Sequence, residues 1–278
     1  MKIPLDFCKD LCLSLFELVL LATYSCKLIK QPTSVASHRR GGVGSTIWDA
    51  GIVLAKYFER SLATTLAESD TPTLNVLELG SGTGVVGLAV ARMLSAMKRK
   101  GKVVLTDKEN VVPLLQRNAD GNKSEGIDIE TRVLDWEIVS GIKAIDTTNP
   151  SSSEGAAAAH PESTASSNTT SDAPSSVDSS TAADHQVLLD TEWDLVILSD
   201  CIWIPALYPP LIGTINSIIK SEKTKFLIAF EKRNFSEEME FFAMLGKTFR
   251  FRDIKPEEQD ANYQSEDIYL FTCQRRPE

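Results

Sequence analysis

The residues VLELGSGTGVVGLAV (76–90) contain a short apolar run, three alternating glycines and a second apolar run with helical spacing. This order is typical of a buried strand, a tight turn and the beginning of a helix. The glycines at positions 80, 82 and 84 let a ligand approach the backbone closely, and the free N–H groups of the first helical turn face it. The pattern therefore predicts a site for a nucleotide-like ligand at the end of a strand.

The kind of nucleotide depends on Glu78, two residues before the first glycine. Gly82, Gly84 and Gly87 fit the dinucleotide pattern G-x-G-x-x-G, which is a weak signal by itself. The string ELGSGTG (78–84) also resembles the first motif of S-adenosylmethionine-dependent methyltransferases. A carboxylate suits a ligand with an ammonium and a sulfonium better than one with a pyrophosphate, because opposite charges attract. The sequence thus favours S-adenosylmethionine over a dinucleotide, with a glycine loop that binds nothing as the third interpretation.

Two further side chains are expected at the same edge of the sheet. The second predicted strand, VVLTD (103–107), ends at Asp107, and strand–helix–strand spacing predicts a parallel pair with a right-handed crossover. The Asp107 carboxylate can accept both hydroxyls of a ribose, or it can cap the helix that follows. The third predicted strand, ETRVLDW (130–136), brings Trp136 to this edge, either beside an adenine or as an ordinary core residue.

The rest of the chain completes an α/β pattern. A fourth strand in WDLVILSDCIW (193–203) ends at Ser199 and Asp200, and KFLIAFEKR (225–233) reads as a fifth. The segments FRFRDIKP (249–256) and EDIYLFTCQRR (266–276) alternate in polarity and predict an antiparallel pair that closes the sheet. We therefore expect seven strands, mostly parallel with an antiparallel last strand, and helices on both faces.

The net charge of −9 is concentrated in one segment. Residues 146–190 contain seven Asp or Glu and no Lys or Arg, which leaves a net charge of −2 for the rest of the chain. Because a near-neutral surface attracts phosphates weakly, we expect no nucleic-acid partner. The same segment is rich in Ser, Thr and Ala, so we expect it to be a disordered insertion. The predicted organisation is an N-terminal appendage of a helix and strands (1–44), followed by one domain (45–278) that contains this insertion.

Residues 11–22 form an apolar run of the length of a signal-peptide core. Glu17 interrupts the run, which is too short to span a bilayer and leads into no clear cleavage site. We therefore expect a packed helix or strand there rather than a secretion signal or a membrane anchor. The five cysteines are scattered without a C-x-x-C pair, which favours free thiols in a reducing compartment. The expected location is the cytoplasm, with the nucleus as the alternative.

With these elements placed, the chain resembles the methyltransferase-like protein-lysine methyltransferases from about residue 16 to residue 276, apart from the insertion. The motifs that carry the resemblance are TIWDAGIVLAKYFE (46–59), VLELGSGTG (76–84), DW (135–136), DCIW (200–203) and NYQSEDIYLF (262–271). The resemblance implies a Rossmann-like S-adenosylmethionine-dependent methyltransferase fold and a protein-lysine N-methyltransferase activity without a metal. The residues implied to contact the methyl donor are Trp48, Gly80, Ser81, Gly82, Asp107, Trp136 and Ser199. For Trp48 and Ser199 this role rests on the resemblance alone, and a Trp48 that packs its helix is the alternative.

The acceptor site is expected at DCIW, which differs from the D/N-P-P-Y/F motif of base and amide methyltransferases. Asp200 is the candidate to hold and orient the lysine amine, and Trp203 to lie along its aliphatic stem; the alternative for Asp200 is a helix cap. The family usually has Tyr or Phe where this chain has Trp203, and commonly alanine where it has Ser199. Trp203 therefore lacks the phenol hydroxyl that a Tyr at this position would supply. This difference is the only support for the rival function, a binding module without catalytic activity.

The partner implied by the resemblance is a protein substrate, namely a valosin-containing-type hexameric ATPase. Relatives with the same core modify chaperones and elongation factors, which are the alternative substrates. Neither a nucleic acid nor a membrane is expected as a partner.

Overall fold

The computed structural model describes residues 42–69, 71–141 and 179–277. Within these residues there are seven strands: β1 (Thr73–Leu79), β2 (Lys100–Asp107), β3 (Ile127–Val133), β4 (Leu195–Ser199), β5 (Lys225–Glu231), β6 (Phe249–Asp253) and β7 (Ile268–Arg275). They form one sheet in the order β3-β2-β1-β4-β5-β7-β6. Strand β7 is antiparallel to both of its neighbours, and the other pairs are parallel. The predicted sheet is therefore confirmed, including its antiparallel last strand.

Helices cover both faces of the sheet. The α-helices in the described ranges are α1 (Asp49–Thr65), α2 (Val85–Ala96), α3 (Val112–Gly121), α4 (Trp136–Ser140), α5 (Ser179–Asp190), α6 (Tyr208–Ile218) and α7 (Phe235–Leu245). Alternate residues of β1 point to opposite faces, because side chains along a strand have a period of two. Leu74 and Val76 pack with α1 and α2, whereas Leu77 and Leu79 pack with α6 and α7. The central strand is therefore buried on both sides, as expected of a parallel sheet.

The predicted insertion is wrong at its C-terminal end. Residues 179–190 form helix α5, in which Leu188 is only 1% exposed and His185 is also buried. The Trp193 indole N–H donates to the Leu188 carbonyl oxygen at 3.1 Å, so the end of this helix is tied to the beginning of β4. The cause is the pair Leu188 and Leu189, whose side chains pack into the apolar cluster although the segment as a whole is poor in large apolar residues. The described residues do not include 142–178 or 1–41. The expected disorder of the insertion and the expected helix and strands of the appendage therefore stay predictions there.

The third strand ends earlier than predicted. Strand β3 stops at Val133, and Asp135 caps the short helix α4 by accepting a hydrogen bond from the Glu137 backbone N–H at 2.9 Å. An Asp at this position favours a helix start over a continued strand, because its side chain satisfies a free N–H group. Trp136 therefore begins a helix instead of ending a strand. None of the helices in the described ranges is long and apolar enough to cross a bilayer.

Candidate active site

A cavity of about 270 Å³ opens at the carboxyl ends of β1, β2 and β4. This is the edge at which open parallel sheets bind ligands. All ten residues predicted for the site line it: Trp48, Glu78, Gly80, Ser81, Gly82, Asp107, Trp136, Ser199, Asp200 and Trp203. The structure thus brings together residues from five separate parts of the chain.

The glycine turn forms the wall of the cavity between β1 and α2. Gly80 has a φ of 64°, and a Cβ there would lie 2.5 Å from the Cys201 sulfur and 3.3 Å from the Trp136 ring. Gly82 has a φ of 54°, and its Cβ would lie 3.0 Å from the Gly44 carbonyl oxygen. Both positions therefore require glycine for conformation and for space.

Asp107 joins the glycine turn to β2. Its Oδ2 accepts a hydrogen bond from the Gly82 backbone N–H at 2.7 Å, and its Oδ1 accepts one from the Lys108 backbone N–H at 2.7 Å. The cavity wall shields this carboxyl from water, which raises its pKa. The N-cap residue of helix α3 is Val111, and the Asp107 carboxylate instead accepts from Gly82 and Lys108, so the interpretation of Asp107 as the cap of this helix is wrong. A carboxylate oxygen accepts about two hydrogen bonds, so each oxygen of Asp107 keeps capacity for a ribose hydroxyl.

Glu78 is 1% exposed and lies beneath the glycine turn. Its Oε2 accepts a hydrogen bond from the Gly87 backbone N–H at 3.0 Å, in the first turns of α2. Burial raises the pKa of Glu78 to about 8, because the charged form loses its water. A cationic ligand in the cavity would favour the charged carboxylate instead.

Three tryptophans border the cavity. Trp48 precedes α1 and is 38% exposed, and Trp203 is 40% exposed, so neither packs as an ordinary core residue. Trp48 both lines the cavity and packs against the Arg233 guanidinium, so its contact with the donor stays a prediction. Trp136 is half-buried and packs against the apolar cluster under α6. Its ring also lies beside Gly80 of the glycine turn. Large rings half-open to solvent at a cavity are typical of ligand-binding rather than structural positions.

Asp200 follows β4 in the left-handed region, with a φ of 53°. Such a φ is uncommon for a residue other than glycine, although Asp adopts it more readily than most. The backbone N–H of Asp200 still donates to the Ala229 carbonyl oxygen of β5 at 2.8 Å. Helix α6 begins at Tyr208 without a side-chain cap, so Asp200 is not its cap. The turn places the Asp200 carboxylate beside the end of β5.

Arg233 is the site residue that the sequence analysis missed. Its Nη1 and Nη2 donate to Oδ1 and Oδ2 of Asp200, both at 2.8 Å, and its guanidinium carbon lies 5.3 Å from the centroid of the Trp48 ring. The hydrogen bonds to Asp200 raise the pKa of Arg233 above its usual value. The sequence shows only the charged string EKR (231–233) at the end of the fifth predicted strand, and this string does not reveal that β5 lies next to β4.

Cys201 is a second residue that the sequence analysis left without a role at the site. Its sulfur lies 3.3 Å from the Ser199 carbonyl oxygen and near the carbonyl oxygens of Leu79 and Gly80. Desolvation, and then the neighbouring carboxylates, raise the pKa of this thiol well above its usual range. The thiol therefore stays protonated and uncharged at neutral pH.

Comparisons with known proteins show which proteins this chain is similar to. A family model described as lysine methyltransferase matches residues 30–147 and 175–248. The protein-lysine N-methyltransferase EFM6 of Saccharomyces cerevisiae is 25% identical over 240 residues, which are 84% of this chain and 82% of the yeast protein. EEF1A lysine methyltransferase 3 of Xenopus tropicalis is 33% identical over 95 residues, and the match spans 34% of this chain and 37% of the frog protein. Among solved structures, the CurJ carbon methyltransferase is similar at 11% identity and a TM-score of 0.44, over 98% of this chain and 70% of that one.

Proposed function

The chain belongs to the lysine methyltransferase family, and we propose that it binds S-adenosylmethionine in the cavity beside the glycine turn and methylates a lysine side chain of EEF1A. One observation carries the proposal: ten residues chosen for donor and acceptor from the sequence line a single cavity. The yeast and frog relatives are both lysine methyltransferases by name, which supports the lysine acceptor, and the frog relative is named for EEF1A, which supports that protein as the substrate.

The chemistry of the cavity fits the methyl donor. Gly80 and Gly82 leave space that any Cβ would fill, and Asp107 keeps hydrogen-bonding capacity for a ribose. Glu78 supplies a negative charge for a cationic ligand, since the cation offsets the cost of burying the carboxylate. Trp136 offers a ring face or edge to the adenine. Trp48, Ser81 and Ser199 complete the donor site in this proposal.

S-adenosylmethionine supplies a methyl group on a sulfonium, so the reaction forms an N–C bond as the S–C bond breaks. The acceptor lysine has an ordinary pKa near 10.4, and its amine must lose a proton to water before it can attack. The protein therefore has to position a neutral amine in line with the methyl group. We assign this positioning to Asp200, which accepts a hydrogen bond from the amine, and the contact with the aliphatic stem to Trp203.

A valosin-containing-type ATPase is the second candidate acceptor. Its support is the resemblance of TIWDAGIVLAKYFE (46–59) and NYQSEDIYLF (262–271) to the lysine methyltransferase that acts on this ATPase. The two candidates differ in one measurable respect, which is the protein that becomes labelled.

The test incubates the protein with methyl-labelled S-adenosylmethionine and either purified EEF1A or the purified ATPase. We expect labelled methyl-lysine after acid hydrolysis of EEF1A, and less label with an Asp107→Ala variant when the donor concentration is below its dissociation constant for that variant. Label in the ATPase but not in EEF1A would contradict EEF1A as the substrate and support the ATPase instead. Donor binding by calorimetry without label in any protein of a cell extract would support the rival, a binding module.

A further inference from the structure

We propose that Arg233 is a positioning residue of the acceptor site, which fixes the Asp200 carboxylate and supplies the positive charge there, so that the site accepts the lysine amine in its neutral form. This inference rests on the proposed lysine methylation. It assigns a role to a residue that belongs to none of the motifs of the sequence analysis.

The geometry at Asp200 is that of a carboxylate held in one orientation. Its side chain is 2% exposed, and its two oxygens receive the two Nη groups of Arg233 in parallel. A third hydrogen bond reaches Oδ1 from the Glu231 backbone N–H at 3.2 Å. Two parallel hydrogen bonds from one guanidinium form a bidentate pair, or fork, which fixes both the plane and the position of the carboxylate. A lysine ammonium is a point charge and cannot fix the plane. Oδ2 keeps capacity for one more donor, which is where the acceptor amine can bind.

Arg233 itself is held from several sides. Its Nη2 also donates to Oε2 of Glu231 at 2.9 Å, and its guanidinium packs over the Trp48 ring. Its backbone N–H and that of Asn234 both donate to Oε1 of the buried Glu238, at 2.5 and 2.9 Å. The side chain and the backbone of Arg233 are therefore both anchored before any substrate arrives.

The charges around this pair give Arg233 its second role. Asp200, which follows β4, and Glu231, at the end of β5, bring two negative charges, and Arg233 pairs with both. Glu238 of α7 faces the backbone of Arg233. The other titratable groups nearby line the cavity: Glu78, Asp107 and the neutral Cys201 thiol near the glycine turn, and Lys108 at the end of β2. Without Arg233, the two carboxylates would bind a lysine ammonium as an ion pair. That ion pair would hold the acceptor in its unreactive, protonated form, whereas the resident guanidinium disfavours a second cation.

The test measures the binding of n-butylammonium, a probe for the lysine side chain, to the complex with S-adenosylhomocysteine at pH 7. We expect Arg233→Met to bind the probe at least about tenfold more tightly than wild type, because two carboxylates lose their cation. Affinity for S-adenosylhomocysteine should change much less than affinity for the probe, since Arg233 touches the donor site only through the Trp48 ring. The matched control is Arg252→Met, which removes an arginine–carboxylate pair with Glu258 outside the cavity and should bind the probe like wild type.

Turnover with the labelled acceptor protein gives the second readout. Arg233→Met should lower kcat without raising KM, and its activity should recover at a higher pH than that of wild type, where the bound amine loses its proton. Arg233→Lys keeps the charge without the fork, so it should bind the probe like wild type and still turn over about tenfold more slowly.

Equal probe affinity in wild type and a folded Arg233→Met overturns the role of the charge. A wild-type kcat in Arg233→Lys overturns the positioning role, and this variant carries the test if Arg233→Met does not fold. A wild-type enzyme that labels no lysine would instead contradict the proposed function. The probe affinities would then still decide whether Arg233 excludes a cation from this site.

Discussion

Among single residues, Asp107 has the most direct consequence for donor binding. Replacing it by alanine removes the partners of two backbone N–H groups and the acceptors proposed for the ribose. We expect Asp107→Ala to weaken donor binding by about 2 kcal/mol, as for the loss of charge-assisted hydrogen bonds. Isothermal titration calorimetry with S-adenosylmethionine measures this change, and Asp128→Ala, an exposed position on β3, is the control. An unchanged dissociation constant for Asp107→Ala would remove this residue from the site.

Glu78 gives a pH dependence whose sign follows from its raised pKa. Its pKa is about 8 in the folded protein and near 4.5 otherwise, so the folded state binds a proton that the unfolded state releases. The resulting stabilisation is complete below pH 4.5 and is lost as the pH rises through 8. Without donor, Glu78→Gln should therefore lose less stability than wild type between pH 5 and 8, by an amount on the order of a few kcal/mol at most.

Urea unfolding of both proteins across this pH range tests the expectation. Glu109→Gln, at an exposed position after β2, should retain the pH dependence of wild type. Parallel stability curves for wild type and Glu78→Gln would show that Glu78 is charged throughout in the folded protein.

Prediction from sequence succeeded where residue type and local pattern determine a position. Gly80, Gly82 and Glu78 are fixed by the strand, turn and helix that contain them, so their places could be read directly. Arg233 could not be placed in this way, because its contact with Asp200 depends on β5 lying next to β4 in the sheet. That adjacency arises from tertiary packing, which no local pattern encodes.

Among the helices and strands, α5 is the element whose contribution to the free energy of unfolding is most readily tested. Leu188 is buried in the apolar cluster under α6 and α7, whereas its neighbour Val187 is 46% exposed. We expect Leu188→Ala to lower the free energy of unfolding by about 2 to 4 kcal/mol, and Val187→Ala by less than about 0.5 kcal/mol. Chemical denaturation of both variants measures the difference. Similar small losses in the two variants would mean that α5 adds little to the fold.

Helix α5 also shows why the amino-acid composition placed the C-terminal end of the insertion wrongly. A compositional argument averages over a whole segment, and 146–190 is poor in large apolar residues as a whole. Leu188 nevertheless finds a complementary apolar surface on the sheet, which a local average cannot register. The strands were predicted better, because apolar runs bounded by turn residues identify buried strands directly. The short helix α4 was missed, since five residues give too little periodicity to read.

For the whole molecule, the boundary between fold and insertion can be tested by deletion. Residues 147–178 contain a single large apolar side chain, Val177, and most of them fall between the two matched parts of the family model. A segment with so little apolar surface contributes little burial energy. Replacing it by a Gly/Ser linker of about 12 residues should leave donor affinity unchanged and add less than about 1 kcal/mol of stability through the shorter loop.

The matched control extends the same deletion from 147 to 190, which also removes Leu188 and the rest of α5. This variant should unfold at a temperature lower by several degrees, because a cost of about 1 kcal/mol shifts the melting temperature of a domain of this size by 2 to 4 °C. Thermal unfolding with and without S-adenosylmethionine compares the two deletions. If the shorter deletion lowers the melting temperature as much as the longer one, residues 147–178 contribute to the folded core despite their composition. The boundary would then lie before residue 147.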